Sequence, residues 1–286
     1  GVLERMVSDK SYGPEIRRSA LTVLCAYSEK SNEWATTERL LQAIHEGKIE
    51  DSDDALLGTL LQHLYPRVIT PQEIWGYYKP NFLTANSNQW AFWRYLGTRN
   101  TPRGNLPALM DALLSTNIRL RSNGDDYFVA DMLGDLLLET VIHFGESSEV
   151  SRMYAWLTLG IGAYHDNGLA QEKRLALGQW LADHPALYKA LVEHGISLQE
   201  HSNEPAHLWL YEIKNTLCEA EPPSDAVNWY LAMAEVRKDA FRQQLIAEAF
   251  QLIERRAGGN AELECMELWA NTHPEDSEWI TKEWLS

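Results

Sequence analysis

The sequence predicts an all-α fold, in which antiparallel helical hairpins stack as a HEAT-like superhelix, or α-solenoid. Three observations predict it. Nearly every segment of the 286-residue chain places its apolar residues at helical spacing. No segment alternates apolar and polar residues between turn signals, as a half-buried strand would. The breaks between helical segments are short, and short connections join helices that lie side by side.

The helical segments follow one another along the whole chain. The segment 126–144 has the clearest apolar face, and 225–257 is long enough for us to expect a break near Arg237 to Asp239. Helix pairs recur at roughly forty-residue spacing, the size of a HEAT-like unit, although a compact bundle stays open as an alternative. The predicted helices are 14–30, 34–46, 52–65, 71–79, 87–97, 105–120, 126–144, 149–165, 169–183, 186–195, 204–219, 225–257, 260–272 and 276–285.

Residues 53–80 illustrate how one hairpin is predicted. Leucines at i, i+1, i+4, i+5 and i+8 from Leu56 share one helix face. Pro66 ends this helix by biasing the residue before it away from helical backbone angles. The next helix is expected to open at Thr70, which can cap it, with Glu73 as the capping-box partner.

The composition excludes several function classes. A net charge of −16 disfavours nucleic acids and anionic membrane surfaces, because both attract clustered Lys and Arg. Three isolated cysteines, Cys25, Cys218 and Cys265, form no disulfide framework, which favours a cytoplasmic location. We find no membrane-spanning run and no signal peptide. The chain opens with GVLERM, without an initiator methionine, and we therefore expect a piece of a longer protein.

No catalytic motif is present, and we expect no catalytic residue, no cofactor and no metal ligand. Gly47-Lys48 lacks the upstream glycine and the following hydroxyl of a phosphate loop. Gly160 and Gly162 begin like a dinucleotide fingerprint, but position 165 is His, so we interpret both glycines as helix-packing positions. Glu139 and His143 lie one helical turn apart and are interpreted as a solvated pair. One alternative is a helical metal-dependent hydrolase that uses the cluster His194, Glu200, His201, Glu204 and His207.

Aromatic residues are the remaining signal, since the chain contains 11 tryptophans. Most of these rings are expected to fill gaps between packed helices. Tryptophan and tyrosine also dominate interaction hot spots, so the aromatic-rich stretch 75–93 is the candidate partner-binding region. Its predicted anchors are Trp75, Tyr77, Tyr78, Trp90 and Trp93.

Residues 53–97 resemble the helical repeat region that follows the NTPase module in bacterial NACHT-type proteins of the STAND class. Four features match: acidic residues before the first helix, a Leu-Leu-Gly sequence within it, a Leu-Tyr-Pro sequence that ends it, and a threonine followed three residues later by a glutamate where the next helix opens. The matching residues are Asp53, Asp54, Leu57, Gly58, Leu64, Tyr65, Pro66, Ile69, Thr70 and Glu73. The resemblance covers about 45 of the 286 residues and includes no catalytic residue. It implies a helical superhelix that senses a foreign molecule, with an ATPase module upstream that oligomerises, in bacterial antiphage defence.

Together these observations predict a non-catalytic sensor region that binds a protein ligand. We expect residues 1–286 to form one helical repeat region of a longer NTPase-containing protein, with 97–104 and 219–224 as the two places for a subdivision. Self-association is expected through the full-length protein. The alternatives are a free-standing helical-repeat adaptor and, second, the metal-dependent hydrolase.

Overall fold

A computed structural model describes residues 1–78, 88–118, 127–161, 168–199, 209–237 and 240–284. These residues form fifteen α-helices and, within the described ranges, no β-strand, which confirms the all-α prediction. The helices are α1 Val2–Ser8, α2 Pro14–Ser31, α3 Ala35–His45, α4 Ala55–Leu64, α5 Asn88–Arg94, α6 Leu106–Leu114, α7 Tyr127–Phe144, α8 Val150–Thr158, α9 Gln171–Ala182, α10 Pro185–Gln199, α11 Trp209–Thr216, α12 Ala226–Glu235, α13 Ala240–Ala257, α14 Gly259–Thr272 and α15 Pro274–Trp284.

Several segments differ from the predicted helices: α6 and α8 end at Leu114 and Thr158, earlier than the predicted helices 105–120 and 149–165, and two segments differ more. Helix α1 was not predicted; it has seven residues and buries one of them, Val7. The predicted helix 71–79 is wrong, because only a short 3-10 helix, Ile74–Tyr77, forms there. Gly76 weakens helix propagation, and Tyr78 adopts an extended backbone that ends the turn. By contrast, the expected break in 225–257 is present, since α12 ends at Glu235 and α13 begins at Ala240.

The chain divides into two compact units, Gly1–Leu177 and Gly178–Ser286, with the division inside α9. The two subdivision points considered from the sequence, 97–104 and 219–224, lie elsewhere. Among the described residues, no helix is both long enough and apolar enough to cross a membrane.

Helices pack against their sequence neighbours in both units, and in the first unit they also pack against the second helix along. In the first unit, α1 packs on α2 and α3, α2 packs on α3 and α4, and α6 packs on α7 and α8. In the second unit, α10 packs on α11, α12 on α13, and α14 on both α13 and α15. The buried leucines of α4, such as Leu57 and Leu60, lie at the centre of the first unit's core.

Ion pairs join helices that are two positions apart in the chain. In each pair a Lys or Arg on one helix reaches a carboxylate that lies on, or caps, the second helix before or after it. The nitrogen–oxygen distances are between 2.5 and 2.8 Å. The pairs are Arg152–Asp111, Lys173–Asp135, Lys189–Asp225, Lys214–Glu248 and Arg242–Asp276. These ion pairs fix the rotation of each helix about its own axis relative to its second neighbour in the chain.

Two glycines allow close approach between elements of the first unit. A Cβ atom on Gly97 would lie 2.7 Å from the Cα atom of Leu136 on α7. A Cβ atom on Gly160 would lie 3.0 Å from the side chain of Leu169, but both residues lie between α8 and α9, so this glycine allows a close turn and not the predicted helix packing. Gly162 lies outside the described residues.

Candidate partner-binding surface

The structure separates the five predicted aromatic anchors into two groups, and the first group is buried. Trp75 is 5% exposed, and its indole N–H donates to the carbonyl oxygen of Leu109, 3.0 Å away. Its ring stacks on Trp93 with the centroids 5.6 Å apart. Trp93 is fully buried and also meets Phe92 edge to face. These two tryptophans are core residues, which corrects the expectation that they are exposed anchors.

The other three predicted anchors reach the surface. Tyr77 is half-buried, with its ring edge to face against His45. Tyr78 is half-buried and packs its ring against Trp93. Trp90 is 39% exposed and is the most accessible ring of the set. The surface part of the predicted region therefore consists of Tyr77, Tyr78 and Trp90, and their contact with a partner stays a prediction. Residues 79–87, which include Phe82, lie outside the described ranges.

A charged network holds α5, the helix that carries Trp90. Arg94, one helical turn after Trp90, bonds the carboxylates of Asp131 and Asp135 on α7 at 2.6 and 2.7 Å. Lys173 on α9 bonds the second carboxylate from the other side. Burial alone would lower the pKa of Arg94, but the hydrogen bond that Arg94 donates to Asp135 and the two carboxylate charges outweigh burial and raise the pKa. The guanidinium stays charged, so the helix that presents Trp90 is fixed on α7.

A second exposed apolar surface was missed from the sequence, and it lies on α2. Val23 is 53% exposed and Tyr27 is 61% exposed, with Ile16 two helical turns before Val23 also exposed. The regular spacing of these residues was visible in the sequence. The same helix has a second apolar face, which includes Leu21 and Cys25, and that face is the buried one.

A cleft of about 550 Å³ opens beside this surface. It is lined by α1, by the C-terminal half of α2 and by the start of α3. Leu24 and Tyr27 contribute apolar surface from α2, and Trp34 contributes it from the turn before α3. The Glu4 carboxylate, which also lines the cleft, accepts a hydrogen bond from Arg39. Tyr27 belongs both to the cleft and to the exposed face of α2.

The structure gives no support to the hydrolase alternative in the part of the chain that it describes. No group of three or more His, Cys, Asp or Glu side chains lies close enough there to hold a metal ion. Of the predicted cluster, His194 lies on α10, whereas Glu200, His201, Glu204 and His207 are outside the described residues. Glu139 and His143 form a pair one helical turn apart, as interpreted from the sequence, with 3.4 Å between nitrogen and oxygen.

The cysteines have the surroundings of structural thiols. Cys25 is fully buried, and burial raises its pKa to about 12, with the charge of Glu29 adding to the effect. Burial also raises the pKa of Cys265. A thiol with a raised pKa holds little of the nucleophilic thiolate at neutral pH.

Comparison with known proteins adds no relative: no protein-family model, no curated protein and no solved structure matches the chain.

Proposed function

We propose that this chain is the non-catalytic recognition region of a STAND-type NTPase of bacterial antiphage defence, and that its helical hairpins stack as an α-solenoid that binds a protein ligand. The observations that carry the proposal are the packing of helices on their second neighbours in the first unit, such as α2 on α4 and α6 on α8, and the ion pairs between second-neighbour helices in both units, such as Arg152–Asp111 and Arg242–Asp276. In solenoid proteins each hairpin contacts mainly the adjacent hairpins, and this contact pattern is typical of such stacks. Stacked hairpins present a long continuous surface, which suits recognition of a macromolecule.

The assignment to the STAND class rests on the resemblance of residues 53–97 to the helical repeats of NACHT-type proteins. Part of this segment forms α4, which buries Leu57 and Leu64 and has Tyr65 as its C-cap residue. The segment after it is shorter than the sequence predicted, but Glu73 still accepts a hydrogen bond from the backbone N–H of Thr70 at 2.9 Å. The Thr70 hydroxyl also donates to Glu73, at 2.8 Å, and does not cap the 3-10 helix Ile74–Tyr77 that follows.

A protein ligand is favoured over a nucleic acid by charge. The net charge of −16 repels a phosphate backbone at long range. Several basic side chains are also bonded to carboxylates, among them Arg94, Arg152 and Lys173. A protein partner with a basic and partly apolar surface instead meets both the excess acid and the exposed aromatic ring of Trp90.

The proposal is tested by expressing the complete natural reading frame that contains this chain in a bacterial host and challenging it with a panel of phages. We expect protection against at least one phage, and we expect Trp90→Ser to remove it. The matched control is Leu268→Ser, an exposed residue on α14 in the other unit. Absence of protection across the panel would contradict the defence role. Full protection by the Trp90→Ser protein would contradict the recognition surface.

The adaptor alternative is separated by a biochemical measurement on the same protein. A sensor region belongs to a chain with an NTPase module, so its ligand should raise the ATP hydrolysis rate of the full-length protein. An adaptor would bind its partner with no change in ATP hydrolysis. The ligand for this assay is the phage protein that co-purifies with the wild-type protein and is absent from the Trp90→Ser preparation.

A further inference from the structure

Helix α2 exposes a face that is almost free of charge. Val23 is 53% exposed, and residues seven positions before and after it lie above and below it, two helical turns away. Three residues on this face are exposed hydrophobic or aromatic side chains of medium to large size, and two are small. The face, called here the α2 stripe, consists of Ile16, Ser19, Val23, Ala26, Tyr27 and Lys30.

We propose that the α2 stripe is covered by the α2 stripe of a second copy of this chain, in a symmetric antiparallel dimer. In a two-fold arrangement centred on Val23, a residue that follows Val23 by some number of positions faces the residue that precedes Val23 by the same number. Val23 then meets Val23 of the second copy. Tyr27 faces Ser19 of the second copy, and the methylene groups of Lys30 face Ile16 of the second copy. Large side chains therefore meet small or apolar ones at every position.

The charges at the ends of the stripe favour this partner. Glu15 precedes Val23 by eight positions, and Lys30 follows Val23 by seven. The dimer therefore brings Glu15 of each copy beside Lys30 of the other copy. The Glu15 side chain is 78% exposed and bonds Arg18 on its own helix, which leaves a carboxylate oxygen available. Two complementary pairs form, one at each end, and the dimer places no like charges opposite each other on the stripe.

The packing requirements of a helix pair are also met. Ser19 and Ala26 are small, which permits the interhelical distance of about 8–10 Å that close helix packing needs. From Ile16 to Lys30 the stripe is about 21 Å long at 1.5 Å per residue. One helix pair of this length buries less surface than the roughly 1,600 Å² of a standard stable complex. The dimer is therefore weak and reversible, and it forms at high protein concentration.

The first test is sedimentation velocity of the purified chain at rising concentration, up to near-millimolar. The weight-average mass should rise from that of a monomer towards that of a dimer. Val23→Glu places two carboxylates opposite each other on the two-fold axis and should keep the protein monomeric. Leu268→Glu makes the same kind of change at an exposed residue of α14 and should leave the dimer unchanged. Far-UV circular dichroism checks that both variants keep the helical content of the wild type.

The second test uses charge reversal and does not depend on the central valine. Glu15→Lys alone and Lys30→Glu alone should each weaken the dimer by roughly fivefold or more, since two exposed pairs become repulsive. A mixture of these two variants should form a heterodimer with both pairs restored, at an affinity close to that of the wild type. If the wild-type chain stays monomeric at the highest concentration, the α2 stripe does not bind a second copy, and the proposal is overturned. A mixture that associates no better than its separate components also overturns it.

Discussion

Replacing Asp276 with alanine tests the strongest of the contacts between second-neighbour helices. The Asp276 and Arg242 side chains are 5% and 11% exposed, and the guanidinium donates to the carboxylate from Nη2 at 2.8 Å and from Nε at 3.1 Å. Trp269 on α14 donates its indole N–H to the same carboxylate at 2.9 Å. One carboxylate on α15 therefore joins α13, α14 and α15.

The cost of the substitution follows from what remains around the guanidinium. Removing one partner of a buried ion pair costs about 3–5 kcal/mol, because the other charge stays buried. Arg242 keeps the carbonyl oxygens of Ala234 and Arg237, and it keeps the carboxylate of Glu275 at 3.0 Å. These remaining partners place the loss at the lower end, so we expect Asp276→Ala to lower the free energy of unfolding by about 3 kcal/mol.

The assay is urea denaturation followed by far-UV circular dichroism, with hydrogen exchange to locate the change in α13 and α15. The matched control is Arg255→Ala. Arg255 and Glu221 are 55% and 62% exposed and 3.9 Å apart, so the control should change stability by less than about 0.5 kcal/mol. A loss below about 1 kcal/mol for Asp276→Ala would refute the reasoning, because it would mean that the guanidinium is solvated after the change.

The same carboxylate gives a pH dependence whose sign can be worked out. Burial alone raises the pKa of Asp276, but the hydrogen bonds from Arg242 and Trp269 outweigh burial and hold the pKa below its ordinary value. The stabilisation is therefore complete above the unfolded pKa of about 3.9, and it is lost as the pH falls through the lower folded pKa. Asp276→Asn cannot ionise, so its stability should fall less steeply than that of the wild type below about pH 4.

Three further outcomes are expected. Gly97→Ala should lower the free energy of unfolding by about 2 kcal/mol, because the added Cβ would lie 2.7 Å from the Cα of Leu136. The matched control in the same denaturation assay is Gly104→Ala, whose added Cβ would have no atom within 4 Å. Thr70→Ala should lower the free energy of unfolding by about 0.5 kcal/mol, because it removes the 2.8 Å hydrogen bond from the threonine hydroxyl to Glu73 and keeps the bond from the backbone N–H. An unchanged denaturation midpoint would show that the hydroxyl contributes nothing. Duplex DNA at moderate salt should not bind measurably in fluorescence anisotropy, and salt-sensitive binding at sub-micromolar concentration would contradict the charge argument.

Much of the helix pattern could be predicted, because helical periodicity is a local property of the sequence. The strong apolar face of 126–144 corresponds to α7, and the break near Arg237 separates α12 from α13. The predictions that failed concern segments of fewer than ten residues. Helix α1 has too few residues for a periodic pattern to be distinguished from chance. The segment 71–79 begins with helix-opening residues, but its 3-10 helix contains Gly76 and ends at Tyr77.

The exposure of individual side chains was not predictable, because it depends on helices that are distant in sequence. Trp75 is buried since its indole meets the carbonyl oxygen of Leu109, 34 residues along the chain. Helix α2 is a clearer example of side-chain exposure that the sequence does not predict. Its buried face includes Arg17, whose guanidinium donates to the carbonyl oxygens of Val7 and Glu50, whereas its exposed face includes Val23. Hydrophobicity alone would have ranked these two faces in the wrong order.

One short motif occurs twice in the second unit and makes similar contacts in both places. Tryptophan, histidine and proline recur at the same spacing in 180–185 and 269–274. In both places the histidine ring stacks on the tryptophan ring with the centroids 3.9 Å apart. The histidine Nδ1 lies 2.6 Å from the tryptophan carbonyl oxygen in the first copy and 3.3 Å in the second. A carbonyl oxygen can only accept, so the 2.6 Å contact requires His184 Nδ1 to carry the hydrogen and satisfy the helix end, whereas the nearer neighbour of His273 Nδ1 is Oγ1 of Thr272 at 3.0 Å.

The proline of each motif then opens the next helix, α10 in the first copy and α15 in the second. Proline suits the first helical position because its missing N–H has no partner there in any case. The motif thus ends one helix and begins another within a few residues, which is the step that a helical hairpin repeats. The same three residue types therefore form the same kind of helix junction at two places in this unit, because each of them has a local physical role there.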